Sequence, residues 1–247
     1  TTRSLELALF RTFSSPLIGV LLHATGEFAA RPQKRYDDTD LLVSEIIEEG
    51  FDSPRGCRAI ARMNALHGRF RIANGDFLYV LSTFVFEPIR WNERFGWRRM
   101  SESEKLAWFW FWRQVGERMQ IRDIPEAYDE FERYGRDYEA ANFRYTDNNQ
   151  RVALATRELF AGWFPALLRP LVRRGIHALL DPSLLTAFDL RPAPRWMVWT
   201  ANAALRARAR LLRCLPRRRR VQRRTQMPRA DYPAGYRIES LGPPPFD

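Results

Sequence analysis

Apolar residues recur three and four positions apart along almost the whole of this 247-residue chain, and the strict alternation that marks a strand appears only briefly. Asn74-Gly75, a dipeptide that often closes hairpins, is not flanked by two alternating runs and instead opens another helix-like apolar stretch. Such a chain buries its apolar stripes by packing helix on helix. The periodicity predicts helices over 4–27, 38–49, 54–71, 75–92, 102–119, 125–143, 147–162, 165–179 and 195–214. Several starts have a cause. Ser101 with Glu104 makes a capping-box pattern, Asp52 or Ser53 precedes a helix begun by Pro54, and Pro125 and Pro165 suit a first turn. No repeat is visible at a period of 20–50 residues. The expectation is an all-α chain: one multi-helix domain over 1–190, then a basic C-terminal helix and irregular tail over 191–247.

Composition narrows the class further. A chain that is 45% hydrophobic and 13% aromatic is not disordered. Two cysteines, Cys57 and Cys214, exclude a disulfide scaffold or a structural zinc cluster, and three histidines speak against a multi-histidine metal site. The net charge of +11 is unevenly placed: 14 arginines and three acids follow residue 190, so the excess belongs to the last 57 residues. A basic amphipathic stretch with Arg206, Arg208, Arg210 and Arg213 runs into Arg217–Arg220, Arg223 and Arg224. That pattern predicts either a solvated terminal helix or contact with an anionic membrane surface. No aromatic residue interleaves the arginine cluster, so specific nucleic-acid binding is not expected. No segment reaches 18 apolar residues, the best run being Pro16 to Ala24, and no basic region with a cleavage site marks a secretory signal. The expected location is cytoplasmic or peripheral to a membrane. The first residue is Thr1 rather than Met.

Several chemistries are absent. The chain has no GxSxG, GxGxxG or GxxxxGK[ST] motif. The residues three before His23, His67 and His177 are Val20, Asn64 and Arg174, so the Glu-x-x-His pairs of a di-iron bundle are missing. Cys57 lies ten residues before His67 on one predicted helix, roughly 15 Å along its axis, too far for a thiol–imidazole pair. His67 stands out. Ile60, Met63, Asn64, His67 and Phe70 share one helical face, with Arg71 one turn beyond His67. A neutral imidazole on an apolar face beside a guanidinium suits a haem iron and a propionate carboxylate, and equally suits a core histidine with satisfied bonds. His23 and His177 are alternatives whose default roles are core or helix-terminal. Five consecutive aromatics, Trp108 to Trp112, cover every direction around a helix, so that helix is expected to be buried centrally or to wall an apolar cavity. Phe77 to Tyr79 and Phe84 to Phe86 are further candidate walls.

The segment ARMNALHGRFRIANGDFLYVLSTFVFEPIRW (Ala61 to Trp91), with KRYDDTDLL upstream and WRRMSESEKLAWFWFWRQVGERMQIRDIPEAYDEFE downstream, resembles the core of the MpaB-type and rubber oxygenases (latex-clearing proteins). The resemblance covers about residues 5–215. It implies an all-α fold with a globin-reminiscent core and a haem b cofactor. It also implies dioxygen acting on the double bond of an apolar isoprenoid or prenylated substrate, in a membrane setting for the MpaB type. The rubber oxygenases show Arg-x-x-His-x-x-x-Arg around the proximal ligand, and here that frame gives Asn64, His67 and Arg71. Arg62, two positions before Asn64, is a candidate stand-in for the missing arginine. Their distal Arg-x-x-Lys-Thr becomes Arg35, Asp38 and Thr39. The implied roles are His67 as axial ligand, Met63, Asn64 and Arg71 as haem contacts, and Arg35 and Thr39 acting on bound oxygen. Asp38 in place of the lysine departs from the rubber-type distal side and favours an MpaB-like subgroup. The haem reading requires His67 to open onto a flat cavity, with Arg35 and Thr39 opposite. The runner-up is a non-catalytic haem- or lipid-binding helical protein at a membrane surface.

Overall fold

Where the sequence pattern suggests one long first helix, the chain turns sharply at Ser14-Ser15. Pro16 has no N–H to donate into the preceding turn, so α1 (Thr2–Phe13) stops and α2 (Pro16–Ala24) leaves it at 100°. The computed structural model describes residues 2–216 and 222–243. Among them the remaining α-helices are α3 (Glu27–Ala30), α4 (Pro32–Glu49), α5 (Pro54–His67), α6 (Asn74–Phe95), α7 (Glu102–Arg118), α8 (Tyr128–Asn142), α9 (Asp147–Gly162), α10 (Arg169–His177), α11 (Pro182–Ala187) and α12 (Arg195–Cys214). Short 3₁₀ turns lie at Ala166–Leu168, Arg224–Gln226 and Ile238–Ser240. The described residues form no strand, only an isolated bridge between Arg229 and Tyr232. The fold is all-α.

Local chemistry explains most boundaries. Ser101 and Glu104 form the reciprocal capping box at the start of α7, and the Ser53 hydroxyl accepts the Gly56 N–H at 2.9 Å before α5. Asn74-Gly75 opens α6. Pro32 starts α4 six residues earlier than the periodicity suggests, which places Arg35 on that helix. α5 ends at His67, where the Gly68 N–H bonds the Asn64 carbonyl at 2.8 Å. Residues 68–73 are therefore outside it. Pro125 precedes α8 rather than beginning it, and α11 has no counterpart in the expected helices.

Two apolar clusters hold the helices. One joins α4 to α8 through Leu41, Ile46, Val85, Phe109, Trp112 and Phe131, and takes in Leu241 from the tail. The other joins α1, α9 and α11 through Phe10, Phe13, Val152, Phe160, Leu184 and Leu185, with Phe188 just past α11. α7 is not buried all round: Phe109 and Trp112 face inward, while Trp110 is 45% exposed with the Arg113 guanidinium 5.2 Å from its ring centre. The aromatic run is thus a one-sided core stripe plus an exposed cation–π pair.

Part of the basic tail is anchored on the protein. Arg224 binds Asp40 through Nε at 3.0 Å and Nη2 at 2.6 Å, Arg229 reaches Asp37 at 3.1 Å and also Asp40, and Arg223 pairs with Glu49. Tyr232 donates to Asp38, and Tyr236 donates to Glu45 at 2.6 Å. α4 presents carboxylates along one side, and the tail supplies the matching cations and hydroxyls. Of the arginines expected either to be solvated or to meet a membrane surface, Arg223 and Arg224 are engaged by α4, while Arg217–Arg220 lie outside the described residues. No single described helix is long and apolar enough to cross a membrane, and α1 with α2 passes that test only as a bent pair.

Candidate functional site

α4 and α5 pack side by side: α4 carries Arg35 and Thr39, α5 ends at His67, and the Arg35 charge is felt at the imidazole. Arg35 and Thr39 are one turn apart. The Arg35 Nη1 donates to the Thr39 hydroxyl, which in turn donates to the Arg35 carbonyl at 3.1 Å. The guanidinium lies 5.6 Å from the Phe28 ring centre. Burial lowers its pKa, opposed by the charges of Asp38 and Glu27, yet it makes no ion pair among the described residues.

His67 closes α5. Its Nδ1 is buried without a hydrogen-bond partner, and its ring meets Phe77 edge-on with centroids 5.4 Å apart. Burial pushes its pKa down to about 4, and the Arg35 charge adds to the effect. The imidazole is therefore neutral at pH 7. Metal ligation requires that form, and protonation would set a second cation within electrostatic reach of Arg35. This is the chemistry of a donor set that can hold an iron-bearing group: a neutral ring whose buried Nδ1 has no partner, and a cation with no direct ion pair among the described residues.

The other expected contacts fall elsewhere. Arg71 is exposed and lies past the end of α5, so it does not continue the His67 stripe. Asn64 donates to the Arg118 carbonyl at 3.0 Å and thereby caps the end of α7. Met63 is half-buried against the main core. Arg62 is bound to the Leu241 carbonyl at 2.7 Å, which engages it with the tail. Asp38 is held by Lys34 at 2.8 Å and by Tyr232, away from His67. His177 is a satisfied core histidine, with Nδ1 at 3.0 Å from the Arg191 carbonyl and Nε2 at 3.3 Å from Arg157. His23 contacts Arg151 at 3.5 Å. Sequence reasoning missed Lys34 and Tyr232, although the i,i+4 spacing of Lys34 and Asp38 was a readable signal for the first.

Two clefts stand out. One, of about 330 Å³, is polar and bounded by Glu6, Tyr36, Asp37, Trp163, Arg224 and Arg229. The second, of about 180 Å³, lies beside the buried Arg11–Glu87 pair. Neither reaches His67, so the flat cavity that the haem reading calls for does not appear in either cleft, and the fit rests on donor chemistry alone.

Residues 7–214 match the family described as ER-bound oxygenase mpaB/B'/rubber oxygenase, catalytic domain. The chain belongs to this oxygenase family. Among its curated relatives, the ER-bound oxygenase mpaB' of Penicillium brevicompactum is 30% identical over 211 residues, 77% of this chain and 50% of the relative. The ER-bound oxygenase mpaB of the same species is 34% identical over 154 residues, 55% of this chain and 39% of the relative. That of Penicillium roqueforti (strain FM164) is 36% identical over 123 residues, 47% of this chain and 41% of the relative. The chain thus spans about half the length of the curated relatives it matches, or less. Arg35, Thr39 and His67 all lie inside the matched region.

Proposed function

We propose that this chain is a haem b-dependent oxygenase that uses dioxygen on an apolar, alkene-bearing substrate of isoprenoid type, with His67 as the axial iron ligand. The observation that carries the reading is the His67 ring: neutral, with Nδ1 buried and unbonded, and within electrostatic reach of a guanidinium that has no ion-pair partner among the described residues. Haem, when bound, supplies the one-electron and dioxygen chemistry. The chain's own groups hold and shape the site. His67 offers the ligand nitrogen, and Phe77 packs edge-on against its ring. Arg35, oriented by Thr39, supplies a fixed positive charge where negative charge on oxygen needs stabilising. The relatives named as ER-bound oxygenases support a membrane-associated setting and a small-molecule substrate. Arg71 and Asn64 have no part in this reading, because their positions commit them elsewhere.

The test is the visible spectrum of the purified chain after haem supplementation. A Soret band is expected, lost or shifted in His67→Ala. No band, or an unchanged one in the variant, overturns the assignment. A His67-dependent band with no oxygen uptake across a panel of isoprenoids would select the non-catalytic haem-binding alternative.

A further inference from the structure

Ten consecutive residues, Gly162 to Leu171 (GWFPALLRPL), are solvent-exposed without a break as the chain passes from α9 through the Ala166–Leu168 turn into α10. Leu167 is 90% exposed, Leu171 56%, Leu168 44% and Phe164 41%. One large apolar side chain in water is ordinary, whereas four within eight residues form a patch. The segment is also held in shape. The Phe164 N–H bonds the Ala161 carbonyl at 3.1 Å, the Leu168 N–H bonds the Pro165 carbonyl at 2.9 Å, and Arg169 Nε donates to the Phe164 carbonyl at 3.2 Å. The backbone satisfies itself and the apolar tips point outward.

The surrounding charge is one-sided. No Asp or Glu lies between Glu158 and Asp181, while Arg169, Arg173 and Arg174 do. Arg173 is neutralised by Glu158, but Arg174 faces solvent. α12 packs its Met197 against Ala178, just past α10, and continues the pattern: it contains five arginines and no acid, with Trp196 61% and Trp199 72% exposed. Apolar tips, exposed indoles and arginines without acids are the combination that partitions into the boundary between headgroups and acyl chains.

We propose that Gly162–Leu171 is the insertion element by which this chain seats on an anionic phospholipid bilayer, with the Trp196/Trp199 side of α12 lying at headgroup level beside it. A bilayer is the occupant that the charge selects. A second copy would bring two arginine-rich faces together, with Glu158 already committed to Arg157 and Arg173, and like charges repel. This surface is distinct from the tail residues Arg223 and Arg224, which α4 already engages. The proposal does not depend on haem.

The experiment is flotation of the full chain with phosphatidylcholine vesicles, with and without phosphatidylserine. Binding is expected only, or far more strongly, with phosphatidylserine. Leu167→Glu/Leu171→Glu is expected to weaken it about tenfold or more, since burying even one leucine side chain is worth about that factor in partition. Both leucines are exposed, so the variant should keep the wild-type melting curve and circular dichroism. Leu106→Glu, at an exposed site on α7, should bind as wild type. Trp199→Phe should reduce fluorescence quenching by brominated lipid. Equal binding of the double variant and the wild type overturns the proposal, as does absence of binding to either vesicle. A wild-type dimer in size exclusion that Leu167→Glu dissociates would assign the patch to self-association and overturn it too.

Discussion

Replacing Arg229 by Met removes a guanidinium on which two carboxylates converge, but its cost falls on one of them. Asp40 keeps Arg224, whereas Asp37 is left with only the Gln33 amide at 3.1 Å. The Asp37 side chain is 2% exposed and that of Arg229 11%. Breaking a buried pair by removing one partner costs about 3–5 kcal/mol, and the surviving Gln33 bond places this case near 3. For a chain of this size about 3 kcal/mol lowers the melting midpoint by roughly 6–12 °C. Burial already holds the Asp37 carboxyl above its ordinary pKa, and the Arg229 charge pulls it back down. A carboxyl raised by folding costs stability above its unfolded pKa, and the cost is relieved as pH falls through the folded value. Losing Arg229 raises the folded value further. The deficit of Arg229→Met should therefore be largest at neutral pH and shrink toward about pH 4, where unfolded aspartate also takes its proton. Urea denaturation at several pH values measures it, and adding Asp37→Asn should recover most of the loss. A deficit below about 1 kcal/mol, a pH-independent deficit, or no recovery would refute the reasoning.

Three further perturbations test the packing. Gly19→Ala places a Cβ 1.8 Å from the Asn149 Oδ1, and Asn149 is pinned by bonds to the Ser14 and Arg144 carbonyls, so α2 and α9 must separate; about 1–3 kcal/mol should be lost in urea denaturation. Ser101→Ala removes the capping box of α7 and should cost about 1 kcal/mol in the same assay. Trp112→Phe should cost less than the roughly 3–5 kcal/mol of Trp112→Ala by a wide margin, because the indole Nε1–H is buried without an acceptor and its removal offsets lost volume; equal costs by thermal melting would count against this.

Helix identity was legible because the apolar stripes are long, and most caps follow from single residues. The break at Ser14-Ser15 was also written in Pro16, but α2 resumes the same apolar period at once, and periodicity alone cannot see a change of direction. The error at Arg71 has a similar cause: Gly68 carries the stop signal, yet the apolar spacing runs on to Phe70. The grouping of Arg35 and Thr39 with His67 came from the family resemblance, since nothing local links residues 32 and 28 positions apart on different helices. The pairings of the tail were beyond reach. Asp37 and Arg229 are separated by 192 positions, and a carboxylate-rich helix reads as a solvated face until its partner is seen.

The family is recognised by residues 7–214, but the arginines that pair with Asp37, Asp40 and Glu49 of α4 come later, at Arg223, Arg224 and Arg229. A chain trimmed to the recognisable region would strip the counterions from Asp37 and Asp40, on the same two turns that carry Arg35 and Thr39. Loss of the segment after residue 214 should therefore loosen α4, and damage far downstream should be felt at the imidazole.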